Sequence, residues 1–438
     1  MRKMKESGIE WIGEIPESWN TVRVKHLATE KDTLFLDGDW INSDVIVDEG
    51  IRYLTSGNVG EGFYKEQGEG YILEETFKKL NCLKVYPGDL MISRLNEPVG
   101  RCCIVPEGED YYVVAVDNVI LRPNEDISKK FMMYCMNTSG YARAALMAAS
   151  GTTMQRISRT SLGNMTVPVT DYDEQVRITN YLDQKCAEID AIIAAKEKTN
   201  ELLKERRQSI IYEAVTKGLD PTVPMKDSGI EWIGEIPESW DVGKLGYFIQ
   251  VFNGDRSSNY PSGNDLQEEG IPFLTSSNLE KDELTLDECK YITQEKYDSM
   301  GGFKMQINDI IYCLRGSVGK CSINLTEEQG TVASSLMGIR CTKIAPKFLL
   351  YILKSSVVDT QNALFINGTC AANLSAENVL EYRIPILDTQ TQVDIVDYLD
   401  KKCAEIDALI SANESTIEKL KEYRQSVIYE AVTGKVEI

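Results

Sequence analysis

The chain has 438 residues, of which 42% are hydrophobic and 26% charged, and its formal net charge is −21. A chain of this length supports more than one hydrophobic core, and the composition excludes collagen-like, low-complexity and intrinsically disordered proteins. No apolar run approaches the roughly 18–20 residues that a membrane helix needs, and residues 1–6 lack the apolar segment of a secretion signal, so we expect a cytoplasmic protein with no membrane partner.

In chain order, the first recognisable element is a 16-residue block that occurs twice. Residues 4–19 read MKESGIEWIGEIPESW, and residues 225–240 match them at 15 of 16 positions. Chance does not produce a match of this length, so we interpret the chain as a tandem duplication.

Each block is followed by a segment of mixed α/β character, at about 20–170 and 241–387. Short β-rich runs, such as residues 111–116 and 309–313, are bounded by turn residues, and residues 129–149 and 346–354 have helical character. A few strings recur, such as GIRYLTSGN at 50–58 and GIPFLTSSN at 270–278, but the remaining similarity is weak. We therefore predict two α/β domains that share a fold and differ in surface.

A long amphipathic helix follows each domain, at residues 174–216 and 391–433. Within these helices, residues 181–216 and 398–433 match at 27 of 36 positions, and apolar residues recur every seven positions. So long an apolar stripe needs a partner, and we expect the two helices to pair antiparallel as a coiled coil, with Lys196, Asn200 and Asn413 fixing the register. The residues expected to pair the helices or bind a partner are Leu182, Ile189, Leu203, Ile210, Leu399, Ile406, Leu420 and Val427.

Positive charge is concentrated late in each α/β segment. Residues 127–170 contain five basic residues and no acidic residue, and residues 329–376 contain four basic residues and one acidic residue. A globally acidic chain can thus present a basic face in each half, as nucleic-acid binding requires. The alternative is that a helix and its loops happen to lack acidic residues.

The nearby loops carry side chains suited to DNA, since Gln fits adenine edges, Arg fits guanine edges, and hydroxyls and amides bind phosphates. Ordinary turn chemistry is the alternative for the Ser, Thr and Asn residues. The candidate DNA-binding residues in the first half are Thr55, Ser56, Asn58, Arg94, Arg101, Thr152, Thr153, Gln155, Arg156 and Arg159. Those in the second half are Thr275, Ser276, Asn278, Arg315, Lys320, Thr369 and Asn373.

Motifs for catalysis, metals and cofactors are absent from the sequence. The chain has no GxxxxGK[ST] or GxGxxG phosphate loop and no CxxC pair among its 11 cysteines, and His26 is its single histidine. We therefore predict no catalytic residue, no metal and no cofactor of the chain's own, and cysteines that are reduced and mostly buried.

The chain resembles the specificity subunits of type I restriction–modification systems over essentially its whole length. The resemblance is carried by SGIEWIGEIPESW at 7–19 and 228–240, by GTTMQRIS at 151–158 and by the Val-Pro and Ile-Pro dipeptides at 167–168 and 384–385. The strings EQV at 174–176 and TQV at 391–393 and the helices that follow them complete the pattern.

The resemblance implies an α/β fold in which two target recognition domains are separated by two long antiparallel helices, with a pseudo-two-fold arrangement. The corresponding boundaries are 1–172 and 221–389 for the domains, 173–220 for the first helix and linker, and 390–438 for the second helix. Each domain is expected to read one half of a bipartite site in double-stranded DNA.

The resemblance also implies partners, because the subunit has no active site. The helices would dock two methyltransferase subunits, which methylate adenine with S-adenosylmethionine, and restriction/translocase subunits would add ATP- and Mg-dependent cleavage. Strong net acidity departs from the usual character of a DNA-binding protein, so we expect weak, salt-sensitive binding by the chain alone. The alternatives are a duplicated coiled-coil adaptor that binds proteins without DNA specificity, and a self-sufficient nuclease or methylase.

Overall fold

The duplication in the sequence is matched by two compact units in the computed structural model, which describes residues 2–95, 98–151, 154–256, 260–366 and 373–438. Unit 1 consists of Met1–Lys196 together with Glu414–Ile438, and unit 2 consists of Glu197–Asn413. Each unit therefore holds one α/β domain and one half of each long helix. Among the described residues, no helix has both the length and the apolar character needed to cross a membrane.

Unit 1 contains small sheets flanked by short helices. Its strands are β1 (Met4–Glu6), β2 (Glu14–Pro16), β3 (Asn20–Arg23), β4 (Leu34–Asp37), β5 (Ile51–Leu54), β6 (Tyr71–Ile72), β7 (Leu90–Ser93), β8 (Cys102–Ile104), β9 (Val113–Val114), β10 (Asn118–Arg122) and β11 (Thr166–Val169). Its helices are α1 (Glu74–Leu80), α2 (Lys129–Met136), α3 (Ser139–Met147), α4 (Arg159–Asn164) and the first half of α5 (Tyr172–Lys217). An antiparallel four-stranded sheet of order β4-β10-β7-β8 forms the centre of the domain.

Unit 2 repeats this plan. Its strands are β12 (Met225–Asp227), β13 (Glu235–Pro237), β14 (Asp241–Lys244), β15 (Ile249–Asn253), β16 (Leu266–Gln267), β17 (Ile271–Leu274), β18 (Lys290–Ile292), β19 (Ile310–Cys313), β20 (Cys321–Ile323), β21 (Thr331–Val332), β22 (Leu336–Cys341) and β23 (Arg383–Ile386). Its helices are α6 (Gln294–Ser299), α7 (Pro346–Leu353), α8 (Ser356–Phe365), α9 (Ala376–Leu380) and the first half of α10 (Thr389–Val432). The sheet β15-β22-β19-β20 has the same order and direction as its counterpart in unit 1. The predicted pair of related α/β domains is therefore confirmed.

The long helices pair antiparallel within each unit. In unit 1, the start of α5 shares a hydrophobic core with the end of α10, through residues such as Leu182, Cys186, Val427 and Ala431. In unit 2, the end of α5 shares a core with the start of α10, through Ile210, Ala214, Leu399, Cys403 and Ile406. These residues lie on the heptad seams of the sequence.

The duplication also repeats polar contacts between the helices. Asp190 lies 3.0 Å from Arg424 Nε in unit 1, and Asp407 lies 3.3 Å from Arg207 Nε in unit 2. The two pairs occupy equivalent positions of the two copies. Near the middle of α5, the Asn413 amide donates to the Asn200 Oδ1 at 2.9 Å, which places both asparagines at the helix interface.

A second repeated contact holds each domain against its helix. In unit 1, the Tyr134 hydroxyl and the Lys130 ammonium donate to the two oxygens of Asp183 on α5, at 2.8 and 2.7 Å. In unit 2, Tyr351 and Lys347 make the same pair of contacts with Asp400 on α10, at 2.7 and 2.8 Å. The domains are thus fixed to the helices by charge-assisted hydrogen bonds as well as by apolar packing.

The repeated opening block packs against the end of a long helix in both units. The Tyr429 hydroxyl on α10 donates to the Ile12 carbonyl, and the Tyr212 hydroxyl on α5 donates to the Ile233 carbonyl, each at 3.1 Å. In unit 2 the helix directly precedes the block along the chain. In unit 1 it comes from the opposite end of the sequence, so residues 414–438 complete the fold that residues 1–20 begin.

One predicted helical segment is divided in the structure. Residues 129–149 form α2 and α3 with a break at Thr138, whose buried hydroxyl accepts a hydrogen bond from the Tyr141 amide and caps α3. Capping favours a new helix start over continuation of the old one. The ten described cysteines are free, and eight of them are buried.

Candidate nucleic-acid interface

In unit 1, two segments carrying predicted DNA contacts meet a third segment beside the end of β7. The Arg94 amide donates to the Asp117 carbonyl at 2.8 Å, and the Ile157 amide donates to the Arg94 carbonyl at 3.0 Å. Leu95 and Arg156 form an isolated antiparallel bridge. Backbone hydrogen bonds therefore bring together the segments around residues 94, 117 and 156, which are far apart in sequence.

Two aspartates organise the arginines of this cluster. Asp37 lies 2.7 Å from Arg94 Nη1 and 3.4 Å from Arg159 Nη1, and Asp117 lies 2.7 Å from Arg156 Nη2. The Arg94 side chain is only 11% exposed, whereas those of Arg156 and Arg159 are 41% and 42% exposed. Arg156 and Arg159 can therefore reach a ligand while their carboxylate partners hold them in place.

Arg101 is buried and serves the backbone of neighbouring loops. Its guanidinium donates to the carbonyls of Val59 at 2.8 Å, Ser56 at 2.9 Å and Leu95 at 2.9 Å. Burial lowers the pKa of this guanidinium from its ordinary value. The side chain thus ties the turn at 56–58 to the loop that follows β7.

The repeated Thr-Ser-x-Asn strings form capped turns. In unit 1, the buried Asn58 accepts the Thr55 amide at 2.8 Å and donates to the carbonyls of Lys65 and Gln67 at 3.0 and 2.8 Å. The predicted contacts Thr55 and Ser56 lie at this turn, exposed and half-buried respectively.

In unit 2, the buried Asn278 accepts the Thr275 amide at 2.9 Å and donates to the Cys289 sulfur at 3.2 Å. Thr275 and Ser276 are half-buried. In both units the turn chemistry considered as the alternative is present, and the asparagines hold the turns from inside.

Two further predicted residues of unit 2, Arg315 and Asn373, form a smaller cluster. Arg315 and Asn373 form an antiparallel bridge, and the Arg315 Nε–H donates to the Asn373 Oδ1 at 3.2 Å. Both residues are exposed. Lys320 pairs with a different residue, since its ammonium is 2.6 Å from a carboxylate oxygen of Glu280.

Four predicted residues remain, namely Gln155, Thr152, Thr153 and Thr369. Gln155 is half-buried beside Arg156. Thr152, Thr153 and Thr369 lie outside the described residues.

The expected basic face needs a correction, because a segment without acidic residues is not a surface without them. In unit 1, Lys129 lies 3.8 Å from Asp89 and Lys130 lies 2.7 Å from Asp183. In unit 2 the paired cations include Arg340 with Asp309, Lys347 with Asp400 and Lys354 with Asp282. The acids come from other parts of each unit, so charge counts along the sequence overestimate the positive charge that the surface presents.

Sequence reasoning missed the acidic partners, and Asp282 is one example. It lies 2.5 Å from Lys354 Nζ and also pairs with Arg207 on α5, and therefore links the segment after the Thr275 turn to the helices. Burial opposes ionisation of this carboxyl, but attraction to Lys354 and Arg207 outweighs it, so its pKa lies below the ordinary value. No signal in a single sequence marks such a partner, because the contacts join residues more than 70 positions apart.

Unit 1 lacks this link at the corresponding place. Aligned on the Thr-Ser-x-Asn strings, residues 55–62 read TSGNVGEG and residues 275–282 read TSSNLEKD. Gly62 therefore stands where unit 2 has Asp282. Among the residues that the structure describes, no group of three or more His, Cys, Asp or Glu side chains could hold a metal ion.

Comparison with known proteins shows which family the chain resembles. Residues 237–419 match the family model described as the type I restriction modification DNA specificity domain. The putative type I restriction enzyme MjaX specificity subunit of Methanocaldococcus jannaschii is 23% identical, over 98% of this chain and 96% of its own. The EcoBI specificity subunit of Escherichia coli is 22% identical, over 99% of this chain and 90% of its own.

Solved structures share the fold. A chain from work on complex assembly and conformational transition of the type I R-M system has a TM-score of 0.72 at 14% identity, over 96% of this chain and 99% of its own. The HsdS subunit from Thermoanaerobacter tengcongensis has a TM-score of 0.51 at 15% identity, over 96% of this chain and 98% of its own. With its duplicated α/β domains and antiparallel helices, the chain is similar over nearly its whole length to the specificity subunits of type I restriction enzymes.

Proposed function

We propose that this chain is the DNA-sequence-recognition subunit of a type I restriction–modification complex, in which each α/β domain reads one half of a bipartite site in double-stranded DNA. The two reading modules are residues 1–172 and 221–389. Residues 173–220 and 390–438 supply the helices and the linker. The chain is a non-catalytic component, and we place it in the cytoplasm with its DNA.

One observation carries the proposal: the two units share a backbone and differ in the polar side chains that it presents. Equivalent loops meet beside β7 and β19. The loop around Arg156 presents an arginine held by Asp117, and the loop around Asn373 presents an amide held by Arg315. A site with two unlike halves needs two readers of one shape with different contact groups.

The surface that binds the partner subunits is inferred from similarity and not from difference, because the two long helices expose nearly the same residues. The exposed apolar residues Ile192 and Leu409 occupy equivalent positions of the two long helices, and the surrounding sequences are nearly identical. Two copies of one partner require two copies of one docking surface. We assign these surfaces to two methyltransferase subunits.

The chemistry of the complex belongs to those partners. The methyltransferase subunits would use S-adenosylmethionine to methylate adenine. Restriction/translocase subunits would use ATP and Mg for cleavage. The chain described here would direct both activities to particular sequences and has no cofactor of its own in this proposal.

Exchange of one domain tests the proposal. Residues 20–170 are replaced by the equivalent segment of another specificity subunit, the hybrid is co-expressed with its methyltransferase, and methylated adenines are mapped across the genome. We expect one half of the recognised site to change and the other half to stay the same. Identical methylation patterns for the parent and the hybrid would refute DNA reading by this domain and favour the protein-binding adaptor.

A further inference from the structure

The two units carry an arginine on opposite sides of one backbone bridge. In unit 1 the bridge joins Leu95 to Arg156, and in unit 2 it joins Arg315 to Asn373. The arginine therefore belongs to the segment before α4 in unit 1, and to the loop after β19 in unit 2. The partner position across the bridge holds an apolar residue in one unit and an amide in the other.

The flanking hydrogen bonds show that the bridges are equivalent. The Ile157 amide donates to the Arg94 carbonyl at 3.0 Å, and the Leu374 amide donates to the Leu314 carbonyl at 2.9 Å. These bonds directly adjoin the bridges. Their acceptors, Arg94 and Leu314, directly follow the equivalent strands β7 and β19 of equivalent sheets. The duplicated fold thus provides one rigid frame in each unit, and the side chains mounted on it differ.

Each arginine contacts one neighbouring side chain through a single nitrogen of its guanidinium. Other donors of the guanidinium take no part in that contact. Asp117 contacts the Nη2 of Arg156 at 2.7 Å, and the side chain is 41% exposed. Asn373 accepts the Nε–H of Arg315 at 3.2 Å, and both terminal nitrogens of Arg315 lie outside this contact. A guanidinium with oriented free donors matches the O6 and N7 acceptors of guanine in the major groove.

We infer that Arg156 and Arg315 are the specificity-determining residues of the two half-sites, each recognising one guanine, with Asp117 and Asn373 as their positioning residues. This inference rests on the proposed function, because it assigns base contacts within the two reading domains. Since the arginines project from opposite sides of the shared bridge, the guanines lie at different places within the two half-sites.

Substitution of the arginines in the full chain, co-expressed with its methyltransferase, provides the test. Methylated adenines are mapped for the wild type, R156A and R315A. We expect R156A to lower discrimination at one G·C pair of one half-site by about 10- to 100-fold, and R315A to do so at one pair of the other half-site. All other positions of the motif stay as in the wild type.

The control is R143A, which removes the same charge from an exposed residue of α3. We expect R143A to leave the motif unchanged. A motif that R156A and R315A also leave unchanged, or methylation that falls equally at all sites in these variants, overturns the inference while the bipartite site of the wild type still supports the proposed function. A wild type without any bipartite motif refutes the proposed function itself.

The positioning residues have their own readout. We expect D117N to relax the base position that R156A relaxes, and N373A to relax the position that R315A relaxes, each to a smaller extent and with an unchanged thermal unfolding midpoint. A merely structural role would instead lower the unfolding midpoint and weaken every position of the motif together, which would contradict the assignment.

Discussion

At the scale of single residues, the polar side chains expected to contact DNA fall into two groups. Asn58 and Arg101 are buried and satisfied by backbone groups, whereas Arg156 and Arg315 remain accessible. The sequence could not separate the groups, because the same hydroxyls, amides and guanidinium groups serve turns, loop tethers and base edges. Burial decides between these roles, and burial depends on contacts between distant segments.

Asp282 gives a pH-dependent prediction at this scale. Its pKa is lowered in the folded chain, so its ionised form stabilises the fold above the ordinary aspartate pKa of about 4. This contribution is lost as the pH falls from there through the lowered pKa of the folded chain. We expect D282N to reduce stability by about 1 kcal/mol at neutral pH, since the carboxylate is partly exposed and solvent screens its ion pairs.

The measurement compares thermal unfolding midpoints of the wild type and D282N between neutral pH and about pH 3. The difference between the two proteins shrinks on acidification. The control is D287N, an exposed aspartate of the same segment, which should match the wild type throughout. A wild-type advantage that is the same at all pH values would refute the role assigned to the Asp282 charge.

At the scale of elements, the long helices were the most predictable part of the fold. Each helix is more than 40 residues long, and many of the apolar residues on its heptad seams are buried in the structure. Strands of two residues, such as β6 and β9, have no periodicity to detect. Their pairing is set by the backbone of neighbouring segments, so the topology of the domains could not be derived from the sequence.

The asparagine pair between the helices gives a prediction at this scale. N200L should destabilise the chain by about 1–3 kcal/mol, because it removes the acceptor of the Asn413 amide at the helix interface. The double variant N200L/N413L should recover or exceed wild-type stability, since two leucines pack in an apolar seam, but it should lose register specificity.

Urea unfolding measures the stabilities, and size-exclusion chromatography detects species other than the wild-type form. The heptad-seam variant L203A serves as a control, because it lowers stability without changing a polar contact. If N200L and N200L/N413L were equally destabilised, the asparagine pair would not set the register.

At the scale of the whole molecule, the duplication and the resemblance to type I specificity subunits could be recognised from the sequence, and the surface charge could not be predicted from it. Repeated strings and their order are properties of the sequence itself. The pairing of Asp37 with Arg94 and Arg159 depends on the fold, because β4, the loop after β7 and α4 meet only in the folded domain. The net charge of −21 is therefore distributed in a way that only the structure reveals.

This charge leads to a prediction for DNA binding. Because many of the arginines and lysines near the candidate interface are paired with acids, the isolated chain should bind specific duplex DNA weakly, and binding should fall steeply as salt rises. Addition of the methyltransferase should tighten binding and retain sequence preference. Fluorescence anisotropy with a specific and a scrambled duplex, at several salt concentrations, measures both effects. Nanomolar, salt-insensitive binding by the chain alone would contradict the prediction.

The assembly of unit 1 from both ends of the sequence affects the order in which the protein folds during translation. Unit 2 is a continuous stretch, Glu197–Asn413, and is complete as soon as the ribosome has released it. Unit 1 is completed only by residues 414–438, which are synthesised after unit 2 and must insert beside a domain made before it. For most of the synthesis time, the first domain therefore exposes the apolar surface that α10 later covers. Premature termination near residue 413 would remove the segment that completes unit 1 and would leave the second domain whole.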